Sequence, residues 1–246
     1  MGFRASKYLE NEGISIARGH VVNTEIRNIF GRIPPGAIAT AKTQFTTVWE
    51  EGTEYEYPSS AVQLDIQTAA TDTASIKIVG LDESYNEIEE IVALNGIILT
   101  DQTTAQSFLR VNDVFTIAGN ATGDVTLVQT GTSDVVAKIE AGTGRNQAAI
   151  YTVPAGCEFY LSRINCFGAE TGGAAGTEKT HFFRNYVQLP TGVILRVAEL
   201  AFHNSFDIYR TNPFKYSEKT DLQLQMKTTA TTPELSVFAE GILIKG

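Results

Sequence analysis

Polar and apolar residues alternate one by one through ASIKI (74–78), so a strand there buries Ile76 and Ile78 and leaves Ser75 and Lys77 wet. Gly80, Asp82, Ser84 and Asn86 follow with turn chemistry, and Ile88, Val92 and Leu94 then return in a single phase. The pattern predicts an antiparallel hairpin. Glu90 falls in the same apolar phase. An unpaired buried carboxylate costs on the order of several kcal/mol, so Glu90 is expected at a bulge or at the sheet rim, facing solvent.

Similar short runs predict strands at Phe45–Trp49, Ala61–Thr68, Ser107–Val111, Val125–Gln129 and Val135–Glu140. Between them GTEYEYPSS, TAATDT and IAGNATGD carry the Gly, Pro, Asn and Asp that favour turns. Further along, Ala149, Tyr151 and Val153 run into Pro154-Ala155-Gly156, and Phe159, Leu161 and Ile164 continue beyond that turn. The chain closes on LQLQMK, with Leu222, Leu224 and Met226 alternating, and on Leu235, Val237 and Ala239. No long segment keeps a 3.6-residue apolar period. The fold class is therefore all-β, read as two consecutive antiparallel β-sandwich-like units preceded by an N-terminal arm.

The expected boundaries are an arm over residues 1–36, a first unit over 37–136 and a second, jelly-roll-like unit over 137–246. The arm is inferred because SKYLENEGISIARGHVVNTEIRNIFGRIPPG has scattered apolar residues without alternation and ends at Pro34-Pro35-Gly36. A short helix is the ordinary alternative. GAETGGAAGT (168–177) is too glycine-rich for a regular element and is expected to be a protruding loop.

Composition narrows the function. The 246 residues carry a formal net charge of −9, from 19 basic and 28 acidic residues, against a general nucleic-acid or anionic-membrane binder. The opening MGFRASKYLENEG turns polar before any apolar leader develops, and no run is long enough to span a bilayer, so a soluble, complete chain is expected. Gly2 and Ser6 fit a myristoylation pattern, but one this short is common by chance. Cys157 and Cys166 belong to no C-x-x-C pair and are read as buried thiols in preference to a disulfide.

Catalytic chemistry is hard to place. His20, His181 and His203 sit in separate segments without a second ligand at metal-binding spacing, so no metal and no cofactor are expected. GTGRNQ (142–147) lacks the third glycine and the following helix of a phosphate loop, and no G-x-S-x-G elbow occurs. Two aromatic groups, Trp49/Tyr55/Tyr57 and Phe182/Phe183/Tyr186, are read as core and inter-sheet packing in preference to a carbohydrate platform. Arg196, His203, Arg210 and Lys215 flank the aromatic stretch AFHNSFDIYRTNPFKY, which reads as a contact surface for another subunit.

The pieces TTVWEEGTEYEYPSSA, IVGLDESYNEIEEIVALNG, SFLRVNDVF and AIYTVPAGCEFYLSR, with the closing EKTDLQLQMK, make the chain resemble a family of virion structural proteins of tailed double-stranded DNA phages, over roughly residues 15–246. These motifs carry no catalytic residue. The resemblance implies a non-enzymatic capsid decoration protein made in the host cytoplasm and bound to the outer surface of the particle. A neck, collar or tail-fibre component is the alternative, and a carbohydrate- or receptor-binding module is the alternative of another class. Implied partners are further copies of the chain, with a trimer as one arrangement, and the major capsid protein or neck and tail subunits, but neither nucleic acid nor membrane. Expected assembly contacts are Ile14, Ile16, Arg18, Ile26, Arg27, Phe30 and Arg32 from the arm, and Phe202, His203, Tyr209 and Arg210 from the aromatic stretch.

Overall fold

The computed structural model describes residues 12–17, 19–96, 102–170, 179–230 and 233–246. After a short helix α1 (Glu12–Ala17) come β1 (Thr24–Ile33) and the two-residue β2 (Thr46–Thr47). Seven strands then succeed one another: β3 (Leu64–Thr68), β4 (Ser75–Leu81), β5 (Glu87–Ala93), β6 (Gln102–Thr103), β7 (Arg110–Ala118), β8 (Val125–Gln129) and β9 (Val135–Ile139). The chain ends with β10 (Ile150–Thr152), β11 (Cys157–Glu170), β12 (His181–Gln188), β13 (Ile194–Phe202), β14 (Ser205–Tyr216), β15 (Asp221–Thr228) and β16 (Pro233–Lys245). Every strand pairing among the described residues is antiparallel, and the all-β expectation holds.

These strands make four sheets, ordered β6-β3-β8-β9, β5-β4-β7, β1-β16-β11-β14 and β10-β15-β12-β13, with β2 on β15. The first two sheets enclose one core, in which Leu64, Ile66, Ile76, Ile78, Val114 and Leu127 meet. The last two enclose a second core around Ile33, Phe159, Leu161, Phe183, Leu224 and Val237. Each such side chain removed from water contributes about 1.5–3 kcal/mol, which is why alternation holds wherever one face of a strand meets a core. Cys157 and Cys166 are buried as free thiols in the second core.

The expected order of units is corrected by the pairing. β9 runs across the anticipated break at 136/137 and pairs with β8, while β1 and β2 pair with β16 and β15. Residues 64–139 are thus a β unit inserted between β2 and β10 of an outer sandwich built from both ends of the chain.

The free arm over 1–36 is corrected in its last third. Residues 24–33 form β1, which pairs with β16 from Thr24↔Ile244 to Ile33↔Leu235 and buries Ile29 and Ile33. Without it β16 would present an open edge and the core an open side. Residues 1–11 and Arg18 lie outside the described residues, as does 171–177 of the glycine-rich segment.

At the predicted hairpin the register is continuous from Ser75↔Ala93 to Leu81↔Glu87, with no bulge at Glu90. β5 is an edge strand, and the Glu90 carboxylate reaches the rim, where the backbone N–H groups of Ala105 and Gln106 donate to it at 2.7 and 2.8 Å. Its charge is met by backbone dipoles. At the tip, the Asp82 carboxylate accepts from the Ser84 and Asn86 N–H groups at 2.8 Å each and from the Asn86 side chain at 3.1 Å. Tyr85 completes the turn with φ of 67°.

Candidate functional site

Two crossings of the chain join the units, and their side chains form a third apolar cluster of Trp49, Tyr55, Ala148 and Ile150, with Tyr57 and Val135 against it. Trp49, Tyr55 and Tyr57 stack edge to face at 5.1 and 5.0 Å between centroids. Their polar ends are spent internally: Trp49 Nε1 donates to the Thr53 carbonyl, Tyr55 to that of Val136 and Tyr57 to that of Leu222. Burial pushes both tyrosine hydroxyls above their ordinary pKa. Trp49 and Tyr55 are almost wholly enclosed, which is the packing expected of them, placed here at the waist between units. In the other group Phe183 is core and Phe182 half-buried.

Beside this cluster lies the polar centre of the junction. Arg110 opens β7 in the inserted unit, and Asp221 opens β15 in the outer one. Arg110 Nε and Nη2 donate to the two carboxylate oxygens of Asp221, each at 2.9 Å, and Nη1 donates to the carbonyls of Pro58 and Leu109 at 2.9 and 2.8 Å. The Tyr57 ring lies 4.5 Å from the guanidinium carbon. Asp221 also accepts from the Thr152 hydroxyl at 2.5 Å. Burial works against the Arg110 charge, yet the hydrogen bonds and charge of Asp221 more than offset it and hold the group above its usual pKa. The pair is buried, planar and bidentate, the geometry that suits arginine.

Around it the backbone interlocks. Asn112 on β7 exchanges two hydrogen bonds with Thr152 on β10, at 2.9 and 3.0 Å. The Ala155 N–H, in the Pro154-Ala155-Gly156 turn, donates to the Tyr85 carbonyl at the hairpin tip at 2.9 Å. Segments that lie far apart in the chain, YEYP, GLDESYNE, SFLRVN, YTVPAG and EKTDLQ, meet here. They are the same segments that carry the phage-protein resemblance.

A second set of contacts crosses a cleft of about 710 Å³ between β1 and the β5-β4-β7 sheet. Arg27 reaches Glu87 across it and Glu25 at 3.1 Å, and Lys245 lies 3.3 Å from Glu87. Arg32 joins Glu234 at 2.7 Å and Glu140, at the end of the inserted unit, at 3.1 Å. Glu50, on the outgoing crossing, accepts the Gln147 N–H of the returning one. Glu50 is 2% exposed, and burial pushes the pKa of its carboxyl up to about 8 against the pull of that hydrogen bond.

The expected assembly contacts therefore divide. Ile16 and Phe202 are buried within the chain, Phe202 with its ring against His181 and Phe206. Arg27 and Arg32 are engaged between the units. Ile14 lies in α1. Ile26 and Phe30 alternate on the outer face of β1, Phe30 at 41% exposure. His203 is exposed with Nδ1 3.1 Å from the Lys179 carbonyl, Tyr209 is 72% exposed, and Arg210 lies 4.1 Å from the Phe214 ring. β1 and β14 are opposite edges of one sheet, with β16 and β11 between them. Sequence reasoning passed over Arg110 and Asp221. The signal available was an arginine inside the apolar run SFLRV, a position tolerated only with a partner.

No protein-family model matches the chain, and no curated protein matches it. Solved structures align only loosely. A structure of infectious bursal disease virus Gt strain aligns at a TM-score of 0.21 and 11% identity, over 91% of this chain and 73% of that one. The D431N mutant VP2 protein of infectious bursal disease virus, from derived T=1 particles, aligns at 0.17 and 8%, over 91% and 74%. A Bacillus thuringiensis Cry1Da tryptic core variant aligns at 0.15 and 8%, over 85% and 54%. Two of these three are virus-particle structures, but alignments this loose carry no weight for function. The functional reading rests on the chain's own residues.

Proposed function

We propose that the chain is a non-enzymatic structural subunit of a tailed-phage particle, bound on the outer surface of the head as a homo-oligomer with the major capsid protein as its partner. What supports this reading is the junction around Arg110 and Asp221. The motifs behind the resemblance are used up in holding two β units in a fixed relation, and their polar groups are directed at one another. A rigid double unit suits a subunit that must present the same surfaces at each site of a shell. A neck, collar or tail-fibre position uses the same rigidity, and copy number separates the two.

Quantitative mass spectrometry of purified particles tests the proposal. A head subunit is expected in hundreds of copies and a neck or fibre subunit in a small multiple of a ring symmetry. Absence of the chain from mature particles overturns both positions.

A further inference from the structure

Edge strands differ sharply in how they are guarded. β5 carries Glu87, Glu89 and Glu90, and β14 carries Pro213 together with Asp207, Arg210 and Lys215, so both discourage pairing with a further strand. Among the described residues β13 is the edge of the β10-β15-β12-β13 sheet and is bound only on its β12 side. Leu195 and Leu200 on it stand 42% and 39% exposed, and its charges are Arg196 and Glu199.

The order of these residues is self-complementary. In LRVAEL (195–200), reversing the strand sets leucine against leucine and arginine against glutamate. Facing must also agree, because residues opposite each other in an antiparallel pair point to the same side. Leu195 and Leu200 are an odd number apart and would lie on opposite faces of a regular strand. The β12–β13 register shifts between them, however: Val187 faces Leu195, Tyr186 faces Arg196, then Asn185 faces Ala198 and Phe183 faces Leu200. Val187, Asn185 and Phe183 are the buried side of β12, so the bulge puts both leucines on that face and Arg196 and Glu199 on the other.

We infer that β13 pairs antiparallel with β13 of a second copy, about a two-fold axis at the bulge, with Leu195 opposite Leu200 and Arg196 opposite Glu199 in both directions. This is an isologous contact by strand addition that makes one continuous sheet of two sandwiches. A register one residue away sets Arg196 against Ala198 or Leu200 and loses the agreement of charge. The contact gives the proposed homo-oligomer its self-interface, and it rests on that reading for its purpose but not for its geometry.

Sedimentation equilibrium of the purified full chain tests it, with Arg196→Glu, Glu199→Arg and the double exchange as variants. The wild type is expected to dimerise. Each single variant places like charges opposite each other twice and should weaken association on the order of tenfold or more, and the double exchange should restore it. Far-UV circular dichroism of each variant shows whether the monomer stays folded, and oxidative crosslinking of Arg196→Cys/Glu199→Cys reads the register independently. A monomeric wild type, or an oligomer indifferent to both single variants and uncrosslinked by the cysteine pair, overturns the inference. Because particle composition is measured separately, a chain present in particles but unpaired through β13 sinks this contact alone, and a β13 dimer absent from particles sinks the structural-subunit reading alone.

Discussion

Arg110 and Asp221 stand 111 residues apart in the chain and are joined by two parallel hydrogen bonds of 2.9 Å in a buried junction between two β units. Removing one partner strands the other charge out of water, which costs about 3–5 kcal/mol. Arg110→Met and Asp221→Asn are each expected to lower stability in urea by amounts in that range. The double variant Arg110→Met/Asp221→Asn should lose clearly less than the sum, since no orphaned charge remains. Losses well below that range in the singles, or an additive double, would show that the pair is not the lock described above.

The buried carboxyl of Glu50 supplies a pH dependence. Below its ordinary value of 4.5 it is neutral whether folded or unfolded and costs nothing; from 4.5 to about 8 the unfolded chain ionises it and the folded chain does not. Stability is therefore lost as pH rises through this window, by on the order of a few kcal/mol, and the loss is complete above about 8. Glu50→Gln keeps an acceptor for the Gln147 N–H and removes the titration. Its melting temperature is expected to exceed that of the wild type by a margin that grows between pH 5 and pH 8. A constant margin would place the titration elsewhere.

Pairing with β16 makes β1 part of the outer sandwich. Deleting residues 1–33 removes a whole strand with Ile29 and Ile33, and large-to-small losses at such positions run to about 2–5 kcal/mol each. The truncated chain should melt far below the wild type or fail to fold. Unchanged melting without β1 would show that this strand is not part of the sandwich.

Local pairing was legible in the sequence and distant pairing was not. β4, β5 and β8 have one face on a core and one in water, so alternation marks them. β12 alternates as well, but its buried phase includes His181 and Asn185, which are hydrogen-bonded to Thr228 and Tyr216 and break the apolar signal. On β15, Leu222, Leu224 and Met226 face the core while Gln223 and Gln225 are buried on the other face, where Gln223 meets Thr47 and Tyr55. β1 mixes its signals because Arg27 on its inner phase turns into the cleft toward Glu87, while Phe30 stays exposed on its outer phase. β13 and β14 lie at the sandwich margin, where neither face is fully covered, and their residues read as surface. The junction was hidden for another reason: no local pattern states which of several distant segments an arginine will meet.

Cryo-electron reconstruction of the mature particle is the most direct measurement of the central claim. Density on the particle exterior should fit the outer sandwich and the inserted unit together as one rigid body, repeated by the particle's symmetry. A reconstruction in which every protein density is accounted for without this double unit would contradict it.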